Sequence, residues 1–261
     1  MPNPNISIAF DLYGTLLSTD AILDQVAEMC GDETKAKQIT SLWRRYQLEY
    51  SWRITAMGIY RPFADITEAA LKHAAAEAGV PLSTEAVAAL QRSYDALSVY
   101  GDVEQGLRQL ESERREGGRD VRCFIFSNGT AAAVSASIAS SPTLSRYQSV
   151  FEKPPLSVEA VGAFKPASAV YDHLVAEATA SRTDGGGGDG GAVGVDDVWL
   201  VTANPFDVVG ARANGVKVVW IDRAGTGWID RLGEVIATDI GPTHIEAGVH
   251  EAVLRILYSY V

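Results

Sequence analysis

Four times in this chain a short apolar run stops at a polar cluster, and the spacing that follows turns helical. The clusters are Asp11 with Tyr13 and Thr15, then Ser127-Asn128, then Lys165, then Asn204 with Asp207. Strands that alternate with helices pack as a mostly parallel, doubly wound α/β sheet of the Rossmann type. Such a sheet turns the C-terminal ends of its strands to one edge, where ligands bind. All four clusters are therefore expected around one cleft.

The first strand is Ile6–Phe10; it ends at Asp11, and Gly14 permits a tight turn. Further on, helices are expected over Val103–Arg115 (closed by Gly117-Gly118), Ala131–Ser140 and Val170–Ala180, and from Val208. Strands are expected over Val121–Phe126, Val198–Thr202 and, as the last clear one, Val216–Ile221. Ser149–Phe151 and the stretch around Val158 read as a weaker strand and loop, and a helix from about Ile245 to Tyr258 closes the chain.

Residues 19–100 break this rhythm. They hold no convincing strand. Ile39, Leu42, Trp43, Tyr46 and Tyr50 recur at helical spacing, and further helices fit Ile66–Ala78 and Thr84–Leu97. A crossover between parallel strands needs only about a dozen residues, so 19–100 reads as an inserted helical cap domain on a core made of 1–18 and 101–261. The Gly-rich stretch 181–193 reads as a flexible surface loop: it lacks the Lys-Ser/Thr of a phosphate-binding loop.

Composition narrows the functional classes. Thirty-three acidic residues against 22 basic ones give a net charge of −11, which disfavours nucleic acid as a partner. No apolar run reaches a membrane span, and the first residues lack the pattern of a signal peptide. Two cysteines, Cys30 and Cys123, make no disulfide framework, so a reducing, cytoplasmic setting is expected. His73, His173, His244 and His250 are scattered without metal-ligand spacing. Trp43, Tyr46 and Tyr50 read as cap core, and Asp196-Asp197 as a solvated turn at the wrong edge of the sheet.

Taken singly, Ser127, Thr202 and Asp207 are good helix-capping types. Together the clusters make a carboxylate, hydroxyls and an ammonium around one cleft. A cation beside Asp11 would keep it ionised and available as a nucleophile.

Phe10-Asp11-Leu12-Tyr13-Gly14-Thr15-Leu16 resembles motif one of the haloacid dehalogenase superfamily. Ser127-Asn128-Gly129-Thr130 resembles motif two, Phe164-Lys165-Pro166 motif three, and Asn204–Asp207 motif four. The superfamily's phosphatases carry a second Asp two residues after the nucleophile, as general acid, and hold Mg²⁺ with an acid in motif four. Here those positions are Tyr13 and Asn204. A phenol is a poor proton donor to an alkoxide at neutral pH, and an amide is a weaker ligand for a hard cation. The L-2-haloacid dehalogenases of the superfamily share this alternative set. They also resemble the chain in Leu42-Trp43-Arg44, Gln47–Trp52, Leu156-Ser157-Val158, Val170-Tyr171 and Trp220-Ile221-Asp222-Arg223. Motif four departs from their usual Ser-Ser-Asn-Ala-Trp-Asp, reading Thr202-Ala203-Asn204-Pro205-Phe206-Asp207.

The resemblance implies metal- and cofactor-free hydrolysis of a short L-2-haloalkanoic acid to a D-2-hydroxy acid. The substrate is a small halogenated carboxylate, with water as second reactant. Asp11 is then the nucleophile, with Lys165 as its pair. Arg44 receives the halide, with Asn128 and Phe206 beside it. Thr15 and Ser127 orient the carboxylates of nucleophile and substrate, and Asn204 and Asp207 position water or Lys165. Thr202 keeps a hydroxyl of motif four. Leu12, Tyr13 and Tyr171 line the cleft, and Leu48 and Phe63 supply an apolar wall. The family is often dimeric, but no segment here is assigned to an interface. The competing readings are a phosphatase with degraded metal binding and a catalytically idle member of the superfamily.

Overall fold

A computed structural model describes residues 5–94, 97–116, 120–180, 194–237 and 240–260. Strand β1 (Asn5–Phe10) is followed by four helices: α1 (Asp20–Cys30), α2 (Glu33–Ala56), α3 (Phe63–Glu77) and α4 (Thr84–Ser93). The chain continues through α5 (Val103–Glu116), β2 (Asp120–Ser127), α6 (Ala131–Ser140), α7 (Pro142–Arg146), β3 (Leu156–Ser157) and α8 (Ser168–Ala180). It ends with β4 (Val198–Thr202), α9 (Pro205–Ala213), β5 (Lys217–Ile221), α10 (Leu232–Ile236), β6 (His244–Glu246) and α11 (Val249–Tyr258).

The six strands form one parallel sheet in the order β3-β2-β1-β4-β5-β6. Side chains alternate across it. Ile6, Ile8, Phe10, Cys123, Ile125 and Val201 enter one core; Ala9, Phe124, Phe126, Val198 and Leu200 enter the other. Burial on both faces is why these strands read as nearly unbroken apolar runs. The chain order reverses between β1 and β4, which opens a crevice at their C-terminal ends. Asp11 leaves β1 there, and Ala203-Asn204 leaves β4 beside it.

The four-helix insertion joins this core through a two-stranded neck. Leu17 pairs antiparallel with Val99, the Ser18 N–H donates to the Ser98 carbonyl at 2.8 Å, and the Tyr100 N–H donates to the Leu16 carbonyl at 3.1 Å. In α2, Asp32 caps the N-terminus by accepting from the Thr34 and Lys35 N–H groups. Its apolar face buries Ile39, Trp43 and Tyr46, and Trp43 Nε1 donates to the Thr67 carbonyl of α3 at 2.8 Å.

Four local expectations are corrected. Helix α4 stops at Ser93 rather than reaching Leu97. Ser149–Phe151 is not a strand: residues 148–150 form a single tight turn that buries Val150 in the core, and only Phe151 bridges to β2, at Cys123. The adjacent strand is β3. Helix α9 begins at Pro205, three residues before Val208, because proline at the first helical position has a preset φ and no N–H to satisfy. Beyond β5 the sheet gains β6, and α11 starts only at Val249. The Gly-rich stretch 181–193 lies outside the described residues. Among those described, no helix is long and apolar enough to cross a membrane, and Cys30 and Cys123 are both free.

Candidate active site

Asp11 is buried where β1 ends, and its N–H donates to the Val201 carbonyl of β4 at 3.0 Å. The chain then turns back on itself. The Leu12 carbonyl accepts the N–H groups of Thr15, Leu16 and Leu17 at 3.3, 2.9 and 2.9 Å. Gly14 makes this turn with φ +84°, a region open to glycine but strained for other residues. The turn brings the Thr15 hydroxyl back to Asp11, where it donates to Oδ2 at 2.7 Å.

Both carboxylate oxygens of Asp11 are held. Oδ2 also accepts from Asn204 Nδ2 at 2.8 Å, and Oδ1 accepts from Lys165 Nζ at 3.2 Å. The Lys165 ammonium is fully buried and places its three N–H bonds on three acceptors: Asp11, Asp207 Oδ2 at 2.8 Å and the Phe126 carbonyl at 2.9 Å. It also lies 4.0 Å from the centre of the Phe126 ring. Burial opposes its charge, but Asp207 and Asp11 outweigh that and raise its pKa. Lys165 thus adds stability that is complete below the ordinary lysine value of ~10.4 and is lost only as pH rises through the higher native value. Burial also pushes the Asp207 carboxyl up, against the pull of Lys165. Tyr171 donates to Asp207 Oδ1 at 2.8 Å, and burial raises its phenol well above the usual value, so it remains a donor.

The insertion reaches this centre through α2. Arg44 Nη2 donates to Asn204 Oδ1 at 3.0 Å, so Asn204 bridges the guanidinium and the Asp11 carboxylate. Asn204 Nδ2 also reaches the Tyr13 carbonyl at 3.3 Å, and Thr202 Oγ1 accepts the Asn204 N–H at 3.1 Å. Asn128 Oδ1 accepts the Lys165 N–H at 3.0 Å, and Ser127 Oγ accepts the Gly129 N–H at 3.1 Å. Phe63 packs at 5.9 Å on Phe164, the neighbour of Lys165; Phe206 meets Trp52 of α2 edge-on at 5.7 Å. Leu48 is half-buried one turn beyond Arg44.

Two readings change. Leu12 is wholly buried in the hydrophobic core, so its side chain lines no cleft. Tyr171 is also fully buried and stands behind Asp207. Of the two roles read for Asp207, water or Lys165, its contact is with Lys165. The Phe126 carbonyl and Ser137, whose hydroxyl pairs with Tyr13 Oη at 3.0 Å, were not foreseen. A carbonyl has no side-chain signature, and a serine inside a helix has no distinguishing one. The histidines are placed elsewhere: His73 pairs with Tyr50, His244 stacks on Trp199, and His173 and His250 adjoin Glu177 and Glu251.

Helix α9 presses on the back of the site at Gly210. A Cβ there would come within 2.6 Å of both the Pro166 Cβ and the Tyr171 hydroxyl. Gly210→Ala is expected to cost about 1–3 kcal/mol by overpacking. Urea unfolding measures this; a change below ~0.5 kcal/mol would show that α9 gives way freely.

The arrangement is a buried carboxylate fixed by an ammonium, a hydroxyl and an amide. The residue two positions on is a phenol paired with a serine hydroxyl, with no carboxylic acid there. This suits displacement of a leaving group that needs no proton.

No protein-family profile matches the chain. It is 28% identical over 228 residues to the haloacetate dehalogenase H-2 of Moraxella sp. strain B, covering 87% of this chain and 90% of that one. It is 30% identical over 220 residues to the (S)-2-haloacid dehalogenase of Pseudomonas sp. strain YL, covering 84% and 83%. Its fold is similar to a crystal structure of an L-2-haloacid dehalogenase, with a TM-score of 0.79 and 27% identity over 97% of this chain and 99% of that one.

Proposed function

Because the chain belongs to the (S)-2-haloacid dehalogenase family, we propose that it hydrolyses the carbon–halogen bond of short L-2-haloalkanoic acids to give D-2-hydroxy acids through an ester on Asp11. The observation that carries this reading is the carboxylate of Asp11, held by Lys165, Thr15 and Asn204 with no carboxylic acid two residues on. In the first step an Asp11 oxygen attacks C2 from behind the carbon–halogen bond. The C–O bond forms as halide leaves with its electron pair toward Arg44, Asn128 and Phe206. Ser127 accepts from Gly129 through its oxygen, which leaves its O–H to donate to the substrate carboxylate. Tyr13, Leu48 and Phe63 exclude water around C2.

In the second step water attacks the carboxyl carbon of the ester. The bond from that carbon to the substrate oxygen breaks, so the hydroxy acid carries away an Asp11 oxygen and Asp11 keeps the oxygen of water. One proton is released in the overall reaction. Lys165 stays charged throughout and stabilises the oxyanion that forms on the ester. C2 is inverted once, because the second step does not touch it. The helical insertion acts as the cap, contributing Arg44.

Lys165 already supplies a fixed cation between Asp11 and Asp207, so the reaction is metal-independent. The test is chloride release from each enantiomer of 2-chloropropionate, with and without prior dialysis against EDTA. Consumption of the S-enantiomer alone, giving D-lactate at a rate indifferent to EDTA and Mg²⁺, is expected. L-lactate or racemic product would refute single inversion. Activity on phosphate esters that required Mg²⁺, without chloride release, would reinstate the phosphatase reading.

A further inference from the structure

The run Trp220-Ile221-Asp222-Arg223 at the end of β5 touches no reacting atom in the mechanism above, yet two of its side chains hold Thr15 from both sides. Trp220 Nε1 donates to the Ala203 carbonyl at 3.3 Å, and the Ala203 N–H donates to Thr15 Oγ1 at 3.0 Å. Arg223 Nη2 donates to the Thr15 carbonyl at 2.8 Å. The same guanidinium forks onto Asp102, Nε to Oδ1 at 3.0 Å and Nη2 to Oδ2 at 2.9 Å, and lies 3.8 Å over the Tyr100 ring. Asp102 is anchored by accepting the Val249 N–H of α11 at 2.6 Å. Thr15 belongs to the outgoing segment of the neck, Tyr100 and Asp102 to the returning one. One guanidinium therefore ties together both crossings between core and insertion.

We propose that Arg223 is a positioning residue for the nucleophile. It fixes the Thr15 backbone so that the Thr15 hydroxyl aims the Asp11 carboxylate, and it locks that loop to the neck of the cap. The geometry needs a planar fork. A lysine could pair with Asp102, but its single nitrogen cannot stand at both the Nε and Nη2 positions from which Arg223 reaches the two Asp102 oxygens and the Thr15 carbonyl. Burial works against the Asp102 charge, but the Arg223 and Val249 hydrogen bonds outweigh it and hold its carboxyl below the usual value, so the anchor stays ionised. The proposal rests on the reading of Asp11 as nucleophile.

The test is Arg223→Lys, followed by kinetics on S-2-chloropropionate, thermal melting and a crystal structure beside that of the wild type. The expected result is a fall in kcat of about tenfold or more with KM changed by less than roughly threefold, the pattern of lost transition-state alignment. Melting stays close to the wild type because the ion pair survives. In the crystal the Thr15 hydroxyl leaves hydrogen-bond reach of Asp11. Recovery of wild-type kcat by lysine would overturn the proposal, and so would a Thr15–Asp11 bond left intact while kcat falls. If the wild type released no halide, the assigned activity would fail, and the Thr15–Asp11 distance in the variant would decide the positioning role alone. Should Arg223→Lys fail to fold, Asp102→Asn answers the same question: one amide oxygen cannot take both guanidinium bonds, so Arg223 loses the fork that holds it against the Thr15 carbonyl. A smaller fall in kcat, again without a change in KM, is expected there, and unchanged kcat would overturn the proposal.

Discussion

Asp11→Asn is expected to abolish halide release, lowering kcat by about 10⁴-fold or more, roughly 5.4 kcal/mol of barrier. An amide oxygen is a poor nucleophile at C2. The amide's N–H donors would also face a site whose three partners on this residue, Thr15, Asn204 and Lys165, all donate to it. Loss of activity alone does not distinguish a nucleophile from a base; the path of the oxygen does. If Asp11 attacks C2, a single turnover in ¹⁸O-water with excess wild-type enzyme places the label in the Asp11 carboxylate, and the first product is unlabelled. If Asp11 activates water instead, the label goes straight to the hydroxy acid and the Asp11 peptide keeps its mass. The second outcome would remove the ester from the mechanism while leaving the fold and the family untouched.

Much of this centre was legible because a parallel sheet leaves little choice. Once Ile6–Phe10, Val121–Phe126 and Val198–Thr202 are parallel strands, whatever follows each of them meets at one edge. Asp11, Asn204 and Asp207 converge for that reason, and Lys165 arrives from the loop that follows β3. The contact of Arg44 with Asn204 spans 160 residues and has no local pattern; only resemblance to a family pointed to Arg44. Arg223 lies in a run that the same resemblance picks out, but its partners are a backbone carbonyl and an aspartate at the start of α5, neither of which announces a role. Fold errors have equally local causes. His244-Ile245-Glu246 pairs on one side only, at the sheet edge, and none of the three residues is buried, so it lacks the apolar run that marked the other strands. Val150 and Phe151 have that run but spend it filling the core beneath β2 from a turn. Leu12 and Tyr171 lie in motif-like stretches beside the site. Which way a side chain faces there depends on the packing around it.

Lys165→Met is expected to lower stability by about 3–5 kcal/mol, because it removes one partner of a buried ionic cluster and leaves the others uncompensated. Methionine fills most of the aliphatic volume, so the loss is chiefly electrostatic. Asp11 and Asp207 would then share a dry site with no cation between them, and the Asp207 carboxyl, already raised by burial, would rise further. A carboxyl whose native pKa lies above its unfolded value of ~3.9 binds more protons in the folded state, so the variant loses stability as pH rises. Its deficit against the wild type should be smallest near pH 4 and grow toward neutrality, as urea titrations across that range would show. Turnover should fall by about 10²–10³-fold, since the oxyanion on the Asp11 ester would lose its fixed cation. Adding Asp207→Asn separates the two effects. Tyr171 can still donate to the amide oxygen at that position, and the buried like-charge pair is gone, so stability should recover and its pH dependence flatten. Turnover should not recover, because the charge next to Asp11 is still missing. A double variant that regained activity would show that Lys165 serves only to neutralise Asp207. A single variant as stable as the wild type at neutral pH would show that water reaches the cluster and screens it.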